Sequence, residues 1–161
     1  MRRNESSERA EKMLAGVKAA GLKLTPQRMA IVKELASDET HPTAQEIFER
    51  LRPGLPTMSF ATVYNTLDAL SAAGLCAAMS LSRGSGRFDP NMMPHHHAVC
   101  DSCGAVRDVP TVGLAVEDIA EPSAAQAVAQ VAPGFELRSV ERIFRGTCAA
   151  CMKRRKRANG V

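Results

Sequence analysis

The stretch SFATVYNTLDALSAAGLCAAMSLSRGSGRFD, residues 59–89, decides the fold. Ser59 is suited to cap a helix, and Gly74 is suited to end it. The residues that follow alternate like a short β-hairpin with a turn at Gly84-Ser85-Gly86. A helix rich in small polar residues followed by such a hairpin indicates a winged helix-turn-helix. The helix positions predicted to face inward are Phe60, Val63, Leu67 and Leu70.

Three amphipathic segments precede this stretch and complete a helical half of the chain. The first ends at Gly21, and the second has Thr25 as its predicted N-cap with Pro26 at its first helical position. In the third, Thr43 and Glu46 have the spacing of a capping box. The predicted inward-facing positions are Ala10, Met13, Leu14, Val17, Ile31, Val32, Leu35, Ala44, Ile47, Phe48 and Leu51.

The chain changes character after Asp89. Residues 97–100 and 105–109 are typical of short strands, and residues 111–134 are Ala-rich and helical in pattern, although Pro122 should break or kink that helix. Residues 135–146 are typical of one long strand. We therefore predict an α+β protein with a winged helix-turn-helix domain over residues 1–89 and a small α/β domain over residues 90–161.

Composition restricts the class of protein. The 161-residue chain is 45% hydrophobic and carries a formal net charge of +4, which is compatible with a polyanionic partner. No apolar run approaches the roughly 18 residues of a membrane span, and the N-terminus lacks the apolar region of a signal peptide. We expect a cytoplasmic protein with no membrane partner. In a reducing compartment, paired cysteines are metal ligands or redox thiols more often than disulfides.

Four of the five cysteines form two matching Cys-x-x-Cys pairs, Cys100 with Cys103 and Cys148 with Cys151. Each pair can supply two adjacent corners of a tetrahedron, so together they predict a Cys₄ structural zinc site. Such a site would hold the end of the chain against the second domain. Cys76 lies in an apolar stretch and is predicted to be a small buried residue.

The histidines need a separate explanation. In an extended segment alternate residues point to the same side, so His95 and His97 can reach one point while His96 faces away. Imidazoles bind several transition metals, and added carboxylates favour Mn or Fe(II). Spacing alone favours a turn or capping role for His41. The candidate carboxylates near the histidines are Asp89, Asp101 and Asp108.

Together these motifs resemble the ferric uptake regulator family. Each is weak alone, but their order and spacing from Leu22 to Cys151 are specific. The matching stretches are LTPQR (24–28), HPTAQEI (41–47), SFATVYNTLDALSAAGL (59–75), RFD (87–89), HHHAVCDSCG (95–104) and TCAAC (147–151).

The resemblance implies a dimeric, metal-dependent repressor that is not an enzyme. An N-terminal winged helix domain would bind double-stranded palindromic DNA, and a C-terminal domain would form the homodimer. The four paired cysteines would hold structural Zn(2+), and Fe(2+) or Mn(2+) would bind between the domains. The implied regulatory ligands are His41, Asp89, His95, His97 and Asp108.

DNA contacts are expected around the helix that starts at Ser59. Its exposed polar residues could read bases or backbone, and cationic residues near another helix start and in the wing would contact phosphates. The predicted DNA-binding residues are Lys23, Gln27, Arg28, Ser59, Thr62, Tyr64 and Asn65, with Arg83 and Arg87 in the wing.

Within the family, two aspartates resemble the peroxide-responsive repressors. Asp89 and Asp108 occupy places where iron-sensing relatives more often carry glutamate. In the peroxide-responsive repressors, Fe(II) reacts with hydrogen peroxide, a ligand histidine is oxidised and DNA is released. His41 and His95 match the oxidised positions, and Mn(II) would repress without reacting.

Four alternatives remain at this stage. The chain could be a metal-responsive repressor of the same family without peroxide chemistry. It could be a zinc metallohydrolase, although it lacks a His-Glu-x-x-His motif. It could switch through oxidation of Cys100 and Cys103, or be a zinc-binding scaffold with no DNA role.

Overall fold

The computed structural model describes residues 3–80, 86–111, 124–136 and 141–158. Over these residues the chain is α+β, as predicted: four helices and a two-stranded hairpin come first, and a three-stranded sheet with two further helices follows. The elements are α1 Arg3–Ala19, α2 Pro26–Ser37, α3 Ala44–Leu51, α4 Phe60–Ala72, β1 Ala77–Met79, β2 Arg87–Asp89, β3 His95–Cys100, β4 Val106–Pro110, α5 Ala124–Val131, β5 Ile143–Gly146 and α6 Ala149–Ala158.

The predicted helix starts are confirmed. The Thr25 hydroxyl accepts a hydrogen bond from the backbone N–H of Arg28 at 3.2 Å. Thr43 and Glu46 form a reciprocal capping box, and the Ser59 hydroxyl accepts from the N–H of Thr62. These local contacts satisfy donors that the first helical turn leaves unpaired, so each helix begins where the sequence placed it.

One core joins the four helices to the hairpin. It is built from the predicted aliphatic stripes, and Cys76 is buried in it as predicted. Phe60 is the exception, because its side chain is 43% exposed rather than directed inward. It lies at the first helical position, and its ring contacts those of Phe48 and Tyr64.

The hairpin also fixes the chain ahead of α3. Strands β1 and β2 pair antiparallel, and the Phe88 N–H donates to the Pro42 carbonyl at 3.0 Å. Thr43 forms a further bridge with Arg87, whose guanidinium donates to the His41 carbonyl at 2.8 Å. The wing therefore holds the segment that carries His41. The predicted turn between the strands falls on residues 81–85, outside the described residues.

The second sheet has the strand order β4-β3-β5. Strand β3 pairs antiparallel with β4 and parallel with β5. Within the described residues, its buried apolar cluster consists of Val99 and Val106, with Met79 of the hairpin packed against it. The described part of this half is therefore much less supported by apolar burial than the helical half.

One prediction for the second half needs correction. Among the described residues of the expected long strand over 135–146, Ile143–Gly146 form a strand, whereas residues 135–136 and 141–142 do not; residues 137–140 are outside the described part. The basic residues near the end of the chain lie on helix α6. Pro122 is also outside the described residues, while Ala124–Val131 is helical as expected.

Among the described residues, the helices are all too short or too polar to cross a lipid bilayer.

Candidate metal centres

One cluster of nitrogen and oxygen ligands forms where the two halves of the chain meet. The turn before α3 and the end of β2 contribute residues from the helical half, and β3 and β4 contribute residues from the sheet half. Their potential ligand atoms all lie within 4.8 Å of one another. The members of this nitrogen–oxygen cluster are His41, Asp89, His95, His97 and Asp108, the set that the family resemblance implied.

The Nε2 atoms of the three histidines converge on the two carboxylates. His41 Nε2 lies 2.7 Å from Asp108 Oδ1, and His95 Nε2 lies 2.9 Å from Asp89 Oδ2. The Nε2 atoms of His95 and His97 are 2.9 Å apart. Asp89 Oδ2 is also 3.6 Å from His41 Nε2 and 3.5 Å from His97 Nε2, so it lies at the middle of the group.

The potential ligand atoms of this cluster are arranged to bind a metal ion rather than to form hydrogen bonds with one another. Within the described residues, both ring nitrogens of His41 and Asp89 Oδ2 are buried and have no hydrogen-bond partner. His41 Nε2 is close to Asp108 Oδ1, but that contact lacks the geometry of a hydrogen bond. Buried polar atoms are rarely left unpaired. Lone pairs aimed at a shared centre from three imidazoles and two carboxylates suit a transition metal such as Fe(II) or Mn(II).

His41 occupies an unusual backbone conformation. Its φ angle is +56°, in the left-handed region that non-glycine residues seldom adopt, and its side chain is almost fully buried. The Arg87 guanidinium bonds its carbonyl, and the neighbouring Pro42 carbonyl bonds β2. The wing thus holds a strained residue in place so that its imidazole reaches the cluster.

Atoms that face away from the centre are bonded by neighbouring groups. Asp89 Oδ1 accepts from the Asn91 backbone N–H at 2.7 Å, and Asp108 Oδ2 accepts from the Asn91 side-chain amide at 2.8 Å. His95 Nδ1 lies 2.7 Å from the Met93 carbonyl oxygen.

His97 has the closest outer contact of the three imidazoles. Its Nδ1 lies 2.6 Å from Glu141 Oε1, while its Nε2 faces the cluster. Imidazole ligands in metal proteins commonly donate their second N–H to a carboxylate or carbonyl in this way.

The environment of Asp89 favours its charged form. Burial raises the pKa of this carboxyl. Contact with His41 and the hydrogen bond from the Asn91 N–H lower it by more than burial raises it, so the pKa of Asp89 lies below its usual range. The Asp89 carboxyl is therefore anionic at neutral pH, the form that a metal ion would bind.

The four paired cysteines form a second cluster, with all sulfur atoms within 4.8 Å of one another. Cys103 Sγ and Cys148 Sγ are 3.8 Å apart. A tetrahedron with Zn–S bonds of about 2.3 Å has sulfur–sulfur edges of about 3.8 Å, so the spacing fits zinc.

Hydrogen bonds to sulfur support the thiolate form that zinc needs. The Cys148 N–H donates to Cys100 Sγ at 3.3 Å. This bond, together with bonds from the backbone N–H groups of Ser102 and Cys103, outweighs burial and lowers the pKa of the Cys100 thiol to about 6. The Arg154 guanidinium donates to Cys151 Sγ at 2.7 Å. In contrast, burial raises the pKa of Cys76 to about 12, so that thiol is an inert core residue.

Two neighbouring candidates lie outside both clusters. The His96 ring faces away as predicted: its Nδ1 accepts from the Arg142 N–H at 3.3 Å, and its ring contacts Phe144. The Asp101 carboxylate lies 3.6 Å from the Arg145 guanidinium. Sequence reasoning missed the outer contacts of Asn91 and Glu141. Asn91 follows Asp89 by two residues, which is a usable signal, whereas Glu141 approaches only through the pairing of β3 with the segment before β5.

The predicted DNA-binding residues differ in their surroundings. Tyr64 and Asn65 are exposed on α4, and Lys23 is exposed before α2. The hydroxyls of Ser59 and Thr62 contact each other at 2.9 Å at the start of α4. Gln27 and Arg28 are half-buried, and the Arg28 guanidinium bonds the Lys23 carbonyl.

Of the two arginines predicted in the wing, the structure describes Arg87. Arg87, expected to contact phosphate, instead bonds the His41 carbonyl and lies 3.5 Å from Glu46. Arg83 lies outside the described residues.

Comparison with known proteins establishes the family. The sequence model of the Ferric uptake regulator family matches residues 19–133 of this chain. The chain belongs to the ferric uptake regulator family. This match covers most of the helical half, the nitrogen–oxygen cluster and the first cysteine pair.

Named relatives of this family member include a peroxide-responsive repressor, PerR, from Staphylococcus aureus. The two sequences are 41% identical over 98 residues, which are 61% of this chain and 66% of that protein, slightly under two thirds of its length.

Solved structures of other family members share the fold. The Helicobacter pylori ferric uptake regulator, described as having three functional metal-binding sites, has a TM-score of 0.70 at 23% identity and aligns over 94% of this chain and 97% of that one. The Pseudomonas aeruginosa ferric uptake regulator with manganese has a TM-score of 0.60 at 25% identity, over 84% and 96% of the two chains.

Proposed function

We propose that this family member is a transcriptional repressor that binds DNA when metal is bound and releases it when peroxide oxidises a ligand histidine. The nitrogen–oxygen cluster carries the proposal, because it joins the two halves of the chain with three histidines and two aspartates. The 41% sequence identity between this chain and the Staphylococcus aureus PerR supports the proposed response to peroxide. The proposed domains are residues 1–89 for DNA binding and 90–161 for dimerisation.

The two clusters would hold different metals. The four cysteines would hold structural Zn(2+), because thiolates at tetrahedral spacing suit that ion. The nitrogen–oxygen cluster would hold Fe(2+) or Mn(2+), because its carboxylates are harder ligands than thiolates. His41 and Asp89 would bind from the DNA-binding domain, and His95, His97 and Asp108 from the dimerisation domain.

Ligands on both sides of the junction explain how metal would control DNA binding. Asp89 ends β2 and His95 begins β3, and residues 90–94 connect them. When all five ligands engage one ion, the angle between the domains is fixed. In a homodimer with two-fold symmetry, that angle sets the distance between two recognition helices, and palindromic half-sites accept only a matching distance. Metal would therefore shift the population toward the DNA-binding arrangement.

The response to peroxide would depend on access to a ligand imidazole. A cleft of about 270 Å³ opens beside the cluster, and His41, Asp89 and Asp108 line it with Arg9 and Arg107. A molecule the size of peroxide can enter this cleft and reach His41. Bound Fe(II) would supply the one-electron chemistry that turns peroxide into an oxidant able to add oxygen to His41 or His95. An oxidised imidazole no longer offers the same ligand, so the junction would loosen and DNA would be released.

This chemistry makes the chain a regulator rather than an enzyme. The oxidised group is the protein's own histidine, and each molecule responds once. The DNA partner would meet the exposed polar face of α4, where Tyr64 is 52% exposed and Asn65 is also exposed.

The test is to load the zinc-bound chain with Fe(II) without oxygen, add about one equivalent of hydrogen peroxide, and map mass changes by peptide. We expect one added oxygen on His41 or His95, and none when Mn(II) replaces Fe(II). His96 is an internal control on the same peptide as His95, because its ring faces away from the cluster.

The other outcomes separate the alternatives. Unmodified histidines together with metal-dependent DNA binding would leave a metal-responsive repressor without peroxide chemistry. Oxidised cysteines with loss of zinc would place the switch at the thiols. Equal oxidation of His96 and His95 would indicate reaction in solution rather than at the cluster.

A further inference from the structure

Asn91 bonds both aspartates of the nitrogen–oxygen cluster. It lies in the connection between β2 and β3, two residues after Asp89. Its backbone N–H donates to Asp89 Oδ1 at 2.7 Å, and its side-chain amide donates to Asp108 Oδ2 at 2.8 Å. Asp89 ends the wing, whereas Asp108 lies on β4. One residue of the connection therefore bonds a carboxylate on each side of the junction.

The bonded oxygens are the outer ones. Asp89 Oδ2 and Asp108 Oδ1 are left facing the three histidines, at 2.9 Å from His95 Nε2 and 2.7 Å from His41 Nε2 respectively. The terminal torsion of a free aspartate is soft, so an unbonded carboxylate presents either oxygen or both. A donor on one oxygen removes that freedom and leaves the other oxygen as the one available ligand atom.

Asn91 is itself oriented by its surroundings. Its Oδ1 accepts from the Met93 N–H at 3.2 Å, which directs the amide nitrogen toward Asp108. This assigns the two ends of the amide, because only the nitrogen can donate to a carboxylate.

We propose that Asn91 is a positioning residue with two effects. It leaves one oxygen of each aspartate free to bind metal, and its hydrogen bonds hold the two domains together before metal binds. The proposal rests on the metal centre proposed above. Groups that orient metal ligands typically change metal affinity about 10–100-fold when removed. The two bonds made by Asn91 together connect Asp89 of the first domain to Asp108 of the second without metal. Loss of the side-chain bond to Asp108 breaks this connection and raises the cost of bringing the two sets of ligands together.

The test compares three variants of the full-length, zinc-loaded chain. Asn91→Ala removes the side chain. Asn91→Ser keeps a hydroxyl that can accept from the Met93 N–H but is too short to reach Asp108. Met92→Ala, at an exposed neighbouring position, is the matched control. Mn(II) affinity is measured by competition with a chelator. The distance between the two domains in the metal-free chain is measured with one spin label on each.

We expect both Asn91 variants to bind Mn(II) about 10–100-fold more weakly and to show a broader distribution of distances, while Met92→Ala matches the parent chain. Thermal unfolding and zinc content should stay unchanged in all three. An Asn91→Ser variant with the parent's affinity and distances would overturn the proposal and leave Asn91 a turn residue only.

A separate control distinguishes failure of this inference from failure of the metal centre. His41→Ala should abolish most Mn(II) binding at the cluster. If the parent chain binds no Mn(II), or if His41→Ala has no effect, the metal centre itself is wrong. If His41→Ala weakens Mn(II) binding and both Asn91 variants do not, only the positioning role of Asn91 is wrong.

Discussion

At the residue scale, two histidines of the nitrogen–oxygen cluster use their ring nitrogens differently: Nδ1 contacts an outer group, and Nε2 faces the cluster. The Met93 carbonyl can only accept, so the contact with His95 Nδ1 favours the tautomer with the proton on Nδ1, which leaves the Nε2 lone pair facing the cluster. The Glu141 carboxylate favours the same tautomer of His97. Outer contacts therefore prepare two of the three imidazoles to act as ligands.

Glu141 gives a prediction at this scale. Replacing Glu141 with Ala removes the acceptor for His97 Nδ1, so we expect Mn(II) affinity to fall about 10–100-fold. Nitrogen-15 NMR of the metal-free chain should show the His97 ring changing from a single Nδ1-protonated tautomer to a mixture. Glu141→Gln, which keeps an acceptor oxygen, should recover part of both.

Glu136→Ala is the control for that experiment, since Glu136 is an exposed carboxylate of the same half-chain. A His97 ring with the same tautomer and the same Mn(II) affinity after Glu141→Ala would contradict a positioning role.

The choice of ligand residues was only partly predictable at this scale. Strand periodicity separates His95 and His97 from His96, because alternation is a property of the local chain. Spacing could not choose Asp108 over Asp101, nor assign His41, because these depend on the pairing of β3 with β4 and on the wing. The family resemblance supplied those choices.

At the element scale, α4 presents its apolar side to the core and its polar side to solvent. Val63, Leu67 and Leu70 are fully buried, while Tyr64 and Asn65 are exposed. A helix that is held this firmly on one side offers the other as a rigid surface, which the proposed contact with DNA requires.

Asn65 gives the prediction for this element. Asparagine can donate to and accept from adenine, and loss of such a contact typically costs about 1–3 kcal/mol, or roughly a 5–150-fold loss of affinity. We expect Asn65→Ala to weaken binding to DNA fragments that the parent protein selects from a random pool. Mn(II) affinity should not change.

Asp68→Ala, an exposed position on the same helix, provides the comparison. If it weakens DNA binding as much as Asn65→Ala, the effect is not specific to a base contact. If neither variant changes binding, α4 is not the reading element.

The elements also show where sequence patterns suffice. Helix starts at Thr25, Thr43 and Ser59 were predictable because the cap and its donor are three residues apart. The length of strand β5 was not predictable in this way, because it is set by the strand with which β5 pairs. Strand β5 pairs with β3 only through the four residues His97–Cys100, so apolar alternation before Ile143 does not extend it.

At the scale of the whole molecule, the two halves are stabilised unequally. The helical half has a continuous core, whereas the described sheet has an apolar cluster of two buried valines and exposes Ile143 and Phe144. Small sheets need additional support to be stable. The four-cysteine cluster and a second copy of the chain would supply it.

Removal of zinc gives the prediction at this scale. Chelation, or replacement of Cys148 with Ser, should unfold the sheet half and convert dimers to monomers, while the helical half keeps its structure. Light scattering measures the mass, and amide exchange locates the unfolding. Cys76→Ser tests for a general effect of losing a thiol; it should perturb the helical core but leave the dimer.

A chain that remains dimeric and protected in its sheet after complete zinc loss would contradict this account.

The short connection over residues 90–94 has a consequence for how fast and how far the molecule can respond. Five residues keep the two ligand sets at a high effective concentration, even when no ion joins them. Loss of one imidazole would therefore not separate the domains. The angle between the domains would no longer be fixed, so under the proposed function DNA would be released while the two domains stay close together.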